Sequence, residues 1–241
     1  YEHLGAWWNN AEFVQRAFGG RIEDVETMRR ASQWLQYDGL RYAVEAQRRR
    51  WPRCSGTLPW QFNESYPNAW CTSALDWHGE PKPAFYGVAR AYRGAPSARF
   101  ATCAWGGEEV FRAEVSAPAR LVDTDGAVVA ESGAGVVEIP LRDVPTDVFL
   151  LDLDGGANRY VFTKTHDLAP LLDLRSTRLE ASDCGGTLTL ANAGPVAAIG
   201  VVVEGLVLSD NVLDLLPGES RELEVVGRLY EPRVEGWNAR V

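Results

Sequence analysis

Positive charge is in short supply in this sequence. Its 24 lysine and arginine residues are outnumbered by 33 aspartate and glutamate residues, which gives a formal net charge of −9 at pH 7. Nucleic-acid-binding proteins present clustered lysine and arginine over a broad face, so we expect no nucleic-acid partner. The one basic run, Arg48 to Arg50 with Arg53, falls where a helix is expected to end. We interpret it as a solvated helix terminus rather than a binding patch.

Long apolar runs are missing as well. No stretch approaches the about 20 apolar residues that a membrane-spanning helix needs, so we predict a soluble chain without a membrane partner. The first twenty residues have neither the basic start nor the continuous apolar core of a signal peptide, and the sequence does not begin with methionine. Cytoplasmic and secreted locations both stay open, and a fragment of a longer protein is one explanation of this start.

Residues that bind metals are few and poorly spaced. The four cysteines include no C-x-x-C pair, and none has a histidine at ligand spacing, so we predict neither a metal nor another cofactor. Cys54 and Cys71 are expected to be buried free thiols, with a disulfide between them as the alternative. His78 and His166 have no serine or cysteine nucleophile context, and no glycine-rich phosphate loop is present.

Aromatic residues are concentrated in the first part of the chain. Seven of the nine tryptophans precede residue 93, namely Trp7, Trp8, Trp34, Trp51, Trp60, Trp70 and Trp77. Beyond that point the chain is rich in valine, leucine, glycine and aspartate, and residues 94–97, with the sequence GAPS, read as a linker. The composition therefore indicates two unlike halves.

The first half is predicted to be helical with one interruption. Apolar residues recur at helical spacing and indicate a helix that Pro52 ends; they are Ile22, Val25, Met28, Leu35, Leu40 and Val44. Residues 56–62 are compatible with a buried strand, and Pro83 to Arg93 predict a second helix. A helix, a strand, a loop and a helix form the end of something larger, because a closed (β/α)₈ barrel needs about 250 residues.

The second half is predicted to consist of strands. They are Val110 to Val115, Ala119 to Asp123, Val128 to Glu131, Gly135 to Ile139, Val148 to Leu153, Arg159 to Thr163, Arg178 to Ala181, Gly185 to Ala191, Ile199 to Val207 and Ser220 to Val226. Their spacing favours one or two immunoglobulin-like sandwiches. The fold predicted for the whole chain is therefore mostly β with an N-terminal α/β portion. We place the domains at 1–93, 94–174 and 175–241, with the first as the end of an incomplete barrel.

One aromatic stretch suggests a binding surface for sugars. Residues 60–66 mix aromatic and amide side chains, and Trp70 follows them. Sugar rings lie with their apolar faces against aromatic rings, while their hydroxyls need polar partners. The alternative is that Trp60 simply packs in the core of a barrel. Glu64 directly follows the predicted strand, where barrel enzymes place active residues, but hydrolysis of a glycosidic bond needs two carboxylates and a lone one is a weak signal.

Three ordered passages resemble the β-mannosidase type of glycoside hydrolase family 2. Residues 43–64, ending GTLPWQFNE, are similar to an arginine-rich helix followed by the G-x-L-x-W-Q-x-N-D strand of that group. Residues 70–86 are similar to its S-W-S-x-x-D-x-x-G-x-x-K-x-x-Y-Y passage. Residues 208–219, LSDNVLDLLPGE, resemble the S-D-N-x-F-D-L-L-P-G-E signature of its final sandwich domain.

The resemblance implies the C-terminal portion of a retaining exo-hydrolase that acts on terminal β-linked sugars. Trp60 would form part of the sugar platform and Asn63 the rim of the pocket, while Glu64 replaces the usual aspartate, which puts its role in doubt. We predict Trp60, Asn63, Glu64 and Trp70 as substrate-binding residues. No catalytic residue is assigned, because both catalytic glutamates of the family lie upstream of this strand, and the chain alone is expected to be inactive.

Two other interpretations stay open. One is a stand-alone carbohydrate-binding or interaction module without catalysis. The other is a complete small hydrolase that uses Glu64 with a second carboxylate. The identity of the sugar and the oligomeric state are not predicted.

Overall fold

The computed structural model describes residues 10–67, 72–100, 109–165 and 167–241. Its helices are α1 (Ala11–Ala17), α2 (Val25–Arg49) and α3 (Pro83–Tyr92). Its strands are β1 (Ala98–Phe100), β2 (Val110–Val115), β3 (Ala119–Asp123), β4 (Val128–Ser132), β5 (Gly135–Pro140), β6 (Val148–Leu153), β7 (Asn158–Thr163), β8 (Thr177–Asp183), β9 (Thr187–Asn192), β10 (Ala198–Leu208), β11 (Leu213–Leu215), β12 (Ser220–Glu235) and β13 (Ala239–Arg240). Strands thus dominate the part of the chain after residue 97, and the fold is mostly β as predicted.

Strands β1 to β7 form two antiparallel sheets that face one another, which we call the first β unit. One sheet has the order β1-β2-β5 and the other β4-β3-β6-β7. Side chains from both sheets form one core, in which Phe111 of β2 meets Phe149 of β6 edge to face at 5.4 Å between ring centroids. In β2 every second residue is buried, whereas β6 is buried along its whole length. Its second face packs against the helices through Val148 and Leu150.

Strands β8 to β13 form the second β unit, a sheet in the order β11-β10-β12-β13-β8-β9. The long strand β12 pairs with β9 through Ser220–Glu224 and with β10 through Val225–Glu235, so the sheet curls back on itself. Its interior is a separate cluster of aliphatic side chains that includes Leu190, Val201 and Leu206.

Helix α2 lies against both β units. Its first turn is capped by Asp24, whose Oδ1 accepts a hydrogen bond from the Thr27 amide at 2.8 Å, and hydrogen bonds from Thr27 lower the pKa of this carboxyl. Its inner face is formed by Ala31, Trp34, Tyr37, Arg41, Val44 and Glu45. The predicted apolar face is therefore partly wrong: Val25 is 86% exposed, and the buried stripe contains two charged residues.

One apolar cluster joins the helices to both β units. It contains Phe18 from the turn after α1, Trp34 from α2, Leu150 from β6 and Ile199 from β10. Trp237 stacks on Phe18 at 5.3 Å between ring centroids, and the rings of Trp237 and Trp34 both approach the backbone of Gly200. A Cβ atom at Gly200 would lie 2.8 Å from each of these rings, and its φ of +60° also favours glycine. The β-rich half thus covers one side of the helices.

The two charged residues of the inner face are paired with β7. Glu45 is 2% exposed and accepts hydrogen bonds from the Tyr160 hydroxyl at 2.6 Å and from Asn158 Nδ2 at 2.9 Å. Arg41 is 1% exposed and donates to the Arg159 carbonyl at 2.6 Å, with its guanidinium 4.5 Å from the centroid of the Tyr160 ring. Burial, followed by the charge of Glu45, raises the pKa of Tyr160 well above its usual value, so this hydroxyl remains a donor.

The structure confirms most predicted elements and corrects one. The ten predicted strands are all present; β12 runs on to Glu235 instead of ending at Val226, and β1, β11 and β13 were not predicted. Residues 56–62 do not form the predicted strand. A strand needs a hydrogen-bonded neighbour along its length, and in the described part of the chain the end of this region has only a few backbone hydrogen bonds to Ala74 and Leu75, with one isolated bridge between Asn63 and Leu75.

Removing the buried carboxylate should weaken the whole fold. Glu45→Ala removes the acceptor of the Tyr160 hydroxyl and of Asn158 Nδ2, while Arg41 keeps its ion pair with Asp38. We expect a loss of about 2–4 kcal/mol in the free energy of unfolding, because two buried donors lose this acceptor. Urea unfolding followed by circular dichroism measures it. The control is Glu114→Ala, which removes an exposed ion pair with Arg99 and should cost under about 1 kcal/mol. Equal effects of the two variants would contradict the role given to Glu45.

Candidate functional site

The segment between α2 and α3 carries the predicted site residues, and its aromatic side chains face outward. Trp60 is 76% exposed, and its neighbours Leu58 and Phe62 are also exposed. Within the described residues Trp60 is therefore not part of a packed core. Isolated exposed apolar residues are common, but a run of them on one loop indicates a surface for a ligand or another protein segment.

Backbone hydrogen bonds hold this loop to the residues that precede α3. The amides of Ala74 and Leu75 donate to the carbonyls of Gln61 and Phe62 at 2.9 and 2.8 Å, and the Glu64 amide donates to the Leu75 carbonyl at 3.3 Å. The Trp60–Gln61 peptide bond is cis. We call residues 60–64 the aromatic loop and residues 73–82 the supporting segment.

Side chains also join the aromatic loop to the supporting segment, through an ion pair. Glu64 is 7% exposed, and its Oε1 accepts hydrogen bonds from Lys82 Nζ at 2.5 Å and from Ser73 Oγ at 2.8 Å. Lys82 Nζ also donates to Ser73 Oγ at 3.0 Å. The Glu64 carboxylate is thus turned inward, against the supporting segment. Lys82 and Ser73 were not predicted as site residues, although Lys82 belongs to the second sequence motif.

The predicted site residues differ in how they are placed. Trp60 and Asn63 are exposed on the aromatic loop, with Asn63 Nδ2 donating to the Glu64 carbonyl at 3.3 Å, whereas Glu64 is buried beneath them. Trp70, Cys71 and His166 lie outside the described residues. Cys54 is a half-buried free thiol. Among the described residues no cluster of metal-binding side chains is found.

The third sequence motif has a structural role, since it fastens α3 to the second β unit. Arg90 of α3 donates to Asp210 Oδ1 and to the Asn211 carbonyl, both at 2.9 Å. The buried Asn211 side chain bonds both backbone groups of Val203, at 2.8 and 3.0 Å, and accepts from the Val212 amide at 2.9 Å. Val212 has a φ of +59°, a conformation that β-branched residues rarely adopt. The asparagine therefore stabilises a strained turn.

The glutamate that ends this motif connects the two β units. Glu219 Oε2 accepts from Arg159 Nη1 at 2.6 Å and from the Leu216 amide at 3.0 Å. Arg159 also donates to Asp152 Oδ1 at 3.0 Å, and Asp152 is completely buried. The motif thus joins α3, the first β unit and the second β unit.

Comparison with known proteins shows that the chain is similar to β-mannosidases. The β-mannosidase B of Neosartorya fischeri is 26% identical over 250 residues, an alignment that covers 85% of this chain and 29% of that protein. The β-mannosidase B of Aspergillus clavatus is 37% identical over 71 residues, covering 28% of this chain and 8% of that protein. No family model matches the sequence. The chain therefore spans less than a third of the length of these curated relatives.

A solved structure shows the same fold. The β-D-mannosidase of Dictyoglomus thermophilum superposes with a TM-score of 0.61 and 19% identity, over 95% of this chain and 32% of that one. The class that emerges is a glycosidase-like module. More particularly, the chain is β-mannosidase-like, which confirms the resemblance inferred from the three sequence passages.

The ion pair beneath the aromatic loop should be measurable by a double-mutant cycle. Lys82→Met leaves the Glu64 carboxylate buried without its cation, whereas adding Glu64→Gln removes the unpaired charge, so we expect a coupling energy of about 1–3 kcal/mol between the two positions. Urea unfolding of the four proteins gives this energy. The exposed pair of Arg112 and Glu138 serves as the control and should couple by less than about 1 kcal/mol. A coupling energy of zero between Glu64 and Lys82 would contradict the conclusion that this ion pair stabilises the aromatic loop.

Proposed function

We propose that this chain is the C-terminal portion of a retaining exo-β-glycosidase of glycoside hydrolase family 2, of the β-mannosidase type. Residues 1–93 would form the end of its catalytic barrel, and residues 94–174 and 175–241 two immunoglobulin-like sandwiches. The strand order β1-β2-β5 facing β4-β3-β6-β7 supports the first sandwich, since seven strands divided three and four are typical of that fold. The short 3₁₀ helix Ala169–Asp173 precedes β8 and supports a boundary near residue 175.

The observation that carries this proposal is the exposed Trp60 on a loop held from beneath by the Glu64–Lys82 pair. In the complete enzyme Trp60 would be part of the sugar platform, Asn63 would lie at the rim of the pocket, and Trp70 would be a further substrate-binding residue. Glu64 would contribute to binding by fixing the shape of the loop. The partner is a carbohydrate with a terminal β-linked sugar, and β-mannosides are the substrates that the names of the relatives suggest.

We further propose that this chain alone does not hydrolyse glycosides. A retaining mechanism needs two carboxyl groups about 5–5.5 Å apart, one of them ionised and free to attack. Glu64 is bound to Lys82 and Ser73. The nearby Glu80 has hydrogen bonds to both of its carboxylate oxygens. These contacts give both carboxylates a structural role, which supports assigning the catalytic pair to an upstream part of the complete enzyme.

A stand-alone carbohydrate-binding module is the second candidate, and the exposure of Trp60 supports it as well. The two candidates differ in what a longer chain can do. An enzyme portion gains hydrolytic activity when it is produced together with the upstream barrel, whereas a binding module does not.

Sugar binding should depend on Trp60. Trp60→Ala removes the ring on which a sugar would lie, and we expect the affinity for methyl β-D-mannoside to fall about 10-fold, equivalent to about 1.4 kcal/mol. Isothermal titration with methyl β-D-mannoside and methyl β-D-glucoside measures the affinity and compares the sugars. Trp51→Ala is the matched control, since Trp51 is 71% exposed but lies outside the aromatic loop. Equal losses in both variants would contradict the platform role.

Hydrolysis by the chain alone is expected to be absent. Incubation with 4-nitrophenyl β-D-mannoside and β-D-glucoside should release no nitrophenol above the rate without protein, because hydrogen bonds hold both Glu64 and Glu80 in contacts with neighbouring residues. Glu64→Gln should be indistinguishable from the unaltered chain. Turnover by the unaltered chain that disappears in Glu64→Gln would contradict this proposal and support a complete small hydrolase.

A further inference from the structure

The second β unit contacts the supporting segment at an irregularity in β10. The register between β10 and β12 shifts between Glu204 and Leu206, which places Gly205 at the shift with a φ of +84°. The Gly205 amide, released from the ladder, donates instead to Glu80 Oε1 at 2.7 Å. A β-bulge often redirects a backbone group in this way.

A tyrosine from β12 completes the contact. Tyr230 donates its hydroxyl to Glu80 Oε2 at 2.6 Å, so the two oxygens of Glu80 are bound by two different strands. The Tyr230 ring lies over Gly205, where a Cβ atom would be 2.9 Å from it. Burial, followed by the hydrogen bond to Glu80, raises the pKa of Tyr230, and the hydroxyl therefore stays a donor at neutral pH. We call this three-residue contact the Glu80 clasp.

Glu80 is tied in turn to the aromatic loop. Its amide donates to Asp76 Oδ1 at 2.8 Å, and its carbonyl accepts from the Asp76 amide at 3.0 Å. Two residues further on, the Lys82 amide donates to the Ala74 carbonyl at 2.9 Å, and the Lys82 side chain holds Glu64. A continuous series of hydrogen bonds thus runs from β10 and β12 to the loop that carries Trp60.

We propose that the second β unit positions the aromatic loop for sugar binding through the Glu80 clasp, which makes Glu80 and Tyr230 positioning residues. This inference rests on the proposed function, since it gives the second β unit a part in the affinity of the Trp60 platform. Neither residue touches the sugar. Their effect is to restrict the supporting segment, and through it the conformations that the aromatic loop adopts before a sugar arrives.

Amide hydrogen exchange on the 241-residue chain tests the positioning without any sugar. The reporters are the amides of Glu64, Ala74 and Leu75, which bond across the loop contact. Tyr230→Phe removes one hydrogen bond and should speed their exchange about 5-fold, and Glu80→Ala removes both and should speed it more. Glu80→Gln keeps an oxygen for the Gly205 amide and should fall between Glu80→Ala and the unaltered chain. Tyr42→Phe is the matched control, since its hydroxyl bonds the Phe100 amide at 3.3 Å, in the first β unit.

The sugar titration is then repeated with the same variants. Faster exchange at the reporters together with weaker binding in Tyr230→Phe and Glu80→Ala, and neither change in Tyr42→Phe, supports the inference. Unchanged exchange in a variant that keeps its cooperative unfolding overturns it, as does faster exchange with undiminished affinity. If Glu80→Ala fails to fold, Tyr230→Phe decides alone. If the unaltered chain binds no sugar, the proposed function fails, and the exchange rates by themselves decide whether the clasp orders the loop.

Discussion

The arrangement of this protein depends on two buried residues of opposite charge between α2 and β7, each hydrogen-bonded to that strand. Arg41 and Glu45 lie one helical turn apart on α2, and both find their partners among three successive residues of β7, Asn158, Arg159 and Tyr160. Charges in such a place are tolerated when hydrogen bonds and opposite charges compensate their burial. Here all the buried side-chain polar atoms of the described residues have partners except Nε of Arg41. The side chain of Arg159 does not face α2 but forms ion pairs with Asp152 of the first β unit and Glu219 of the second. One short strand therefore fixes the helices and both β units relative to each other.

Charge and aromatic surface are distributed in an unusual way along the first half of the chain. Arginine and glutamate lie inside, on the inner face of α2, whereas Trp51, Trp60 and Phe62 lie outside on the loop that follows it. The usual preference is the reverse. The buried charges are explained within the chain by their partners on β7. The exposed aromatic side chains have no such explanation within the described residues, and this contrast is what points to a ligand or a missing neighbouring segment.

Local patterns were enough to predict the strands and the long helix. Apolar residues alternate in β2, which has one buried face, and run continuously in β6, which is buried on both faces. Both patterns can be recognised from a few consecutive residues. The inner face of α2 was not predictable in the same way. Arg41 and Glu45 look like solvent-facing residues until their partners are known, and those partners are more than a hundred positions away.

The candidate site shows the same division. Trp60, Asn63 and Glu64 could be selected because aromatic and amide residues stand together in the sequence. The residues that hold them in place could not be predicted, because Glu80 bonds to Gly205 and Tyr230, which are 125 and 150 positions away in the sequence. The failed strand at residues 56–62 has a related cause: its composition suits a strand, but a strand also requires a neighbour, and composition carries no information about neighbours.

The passage from α3 into β1 has a consequence for how the molecule can move. Residues 94–97 have the composition of a flexible connection, yet the Pro96 carbonyl accepts a hydrogen bond from Asn158 Nδ2 at 2.9 Å, the same nitrogen that reaches Glu45. Ser97 is bound as well, through its amide to Ser116 Oγ at 2.9 Å. The Asn158 side chain, which belongs to the first β unit, thus binds both the connecting residues 94–97 and helix α2. These residues are therefore held in place rather than free to bend, and we expect the helices and the first β unit to move as one rigid body.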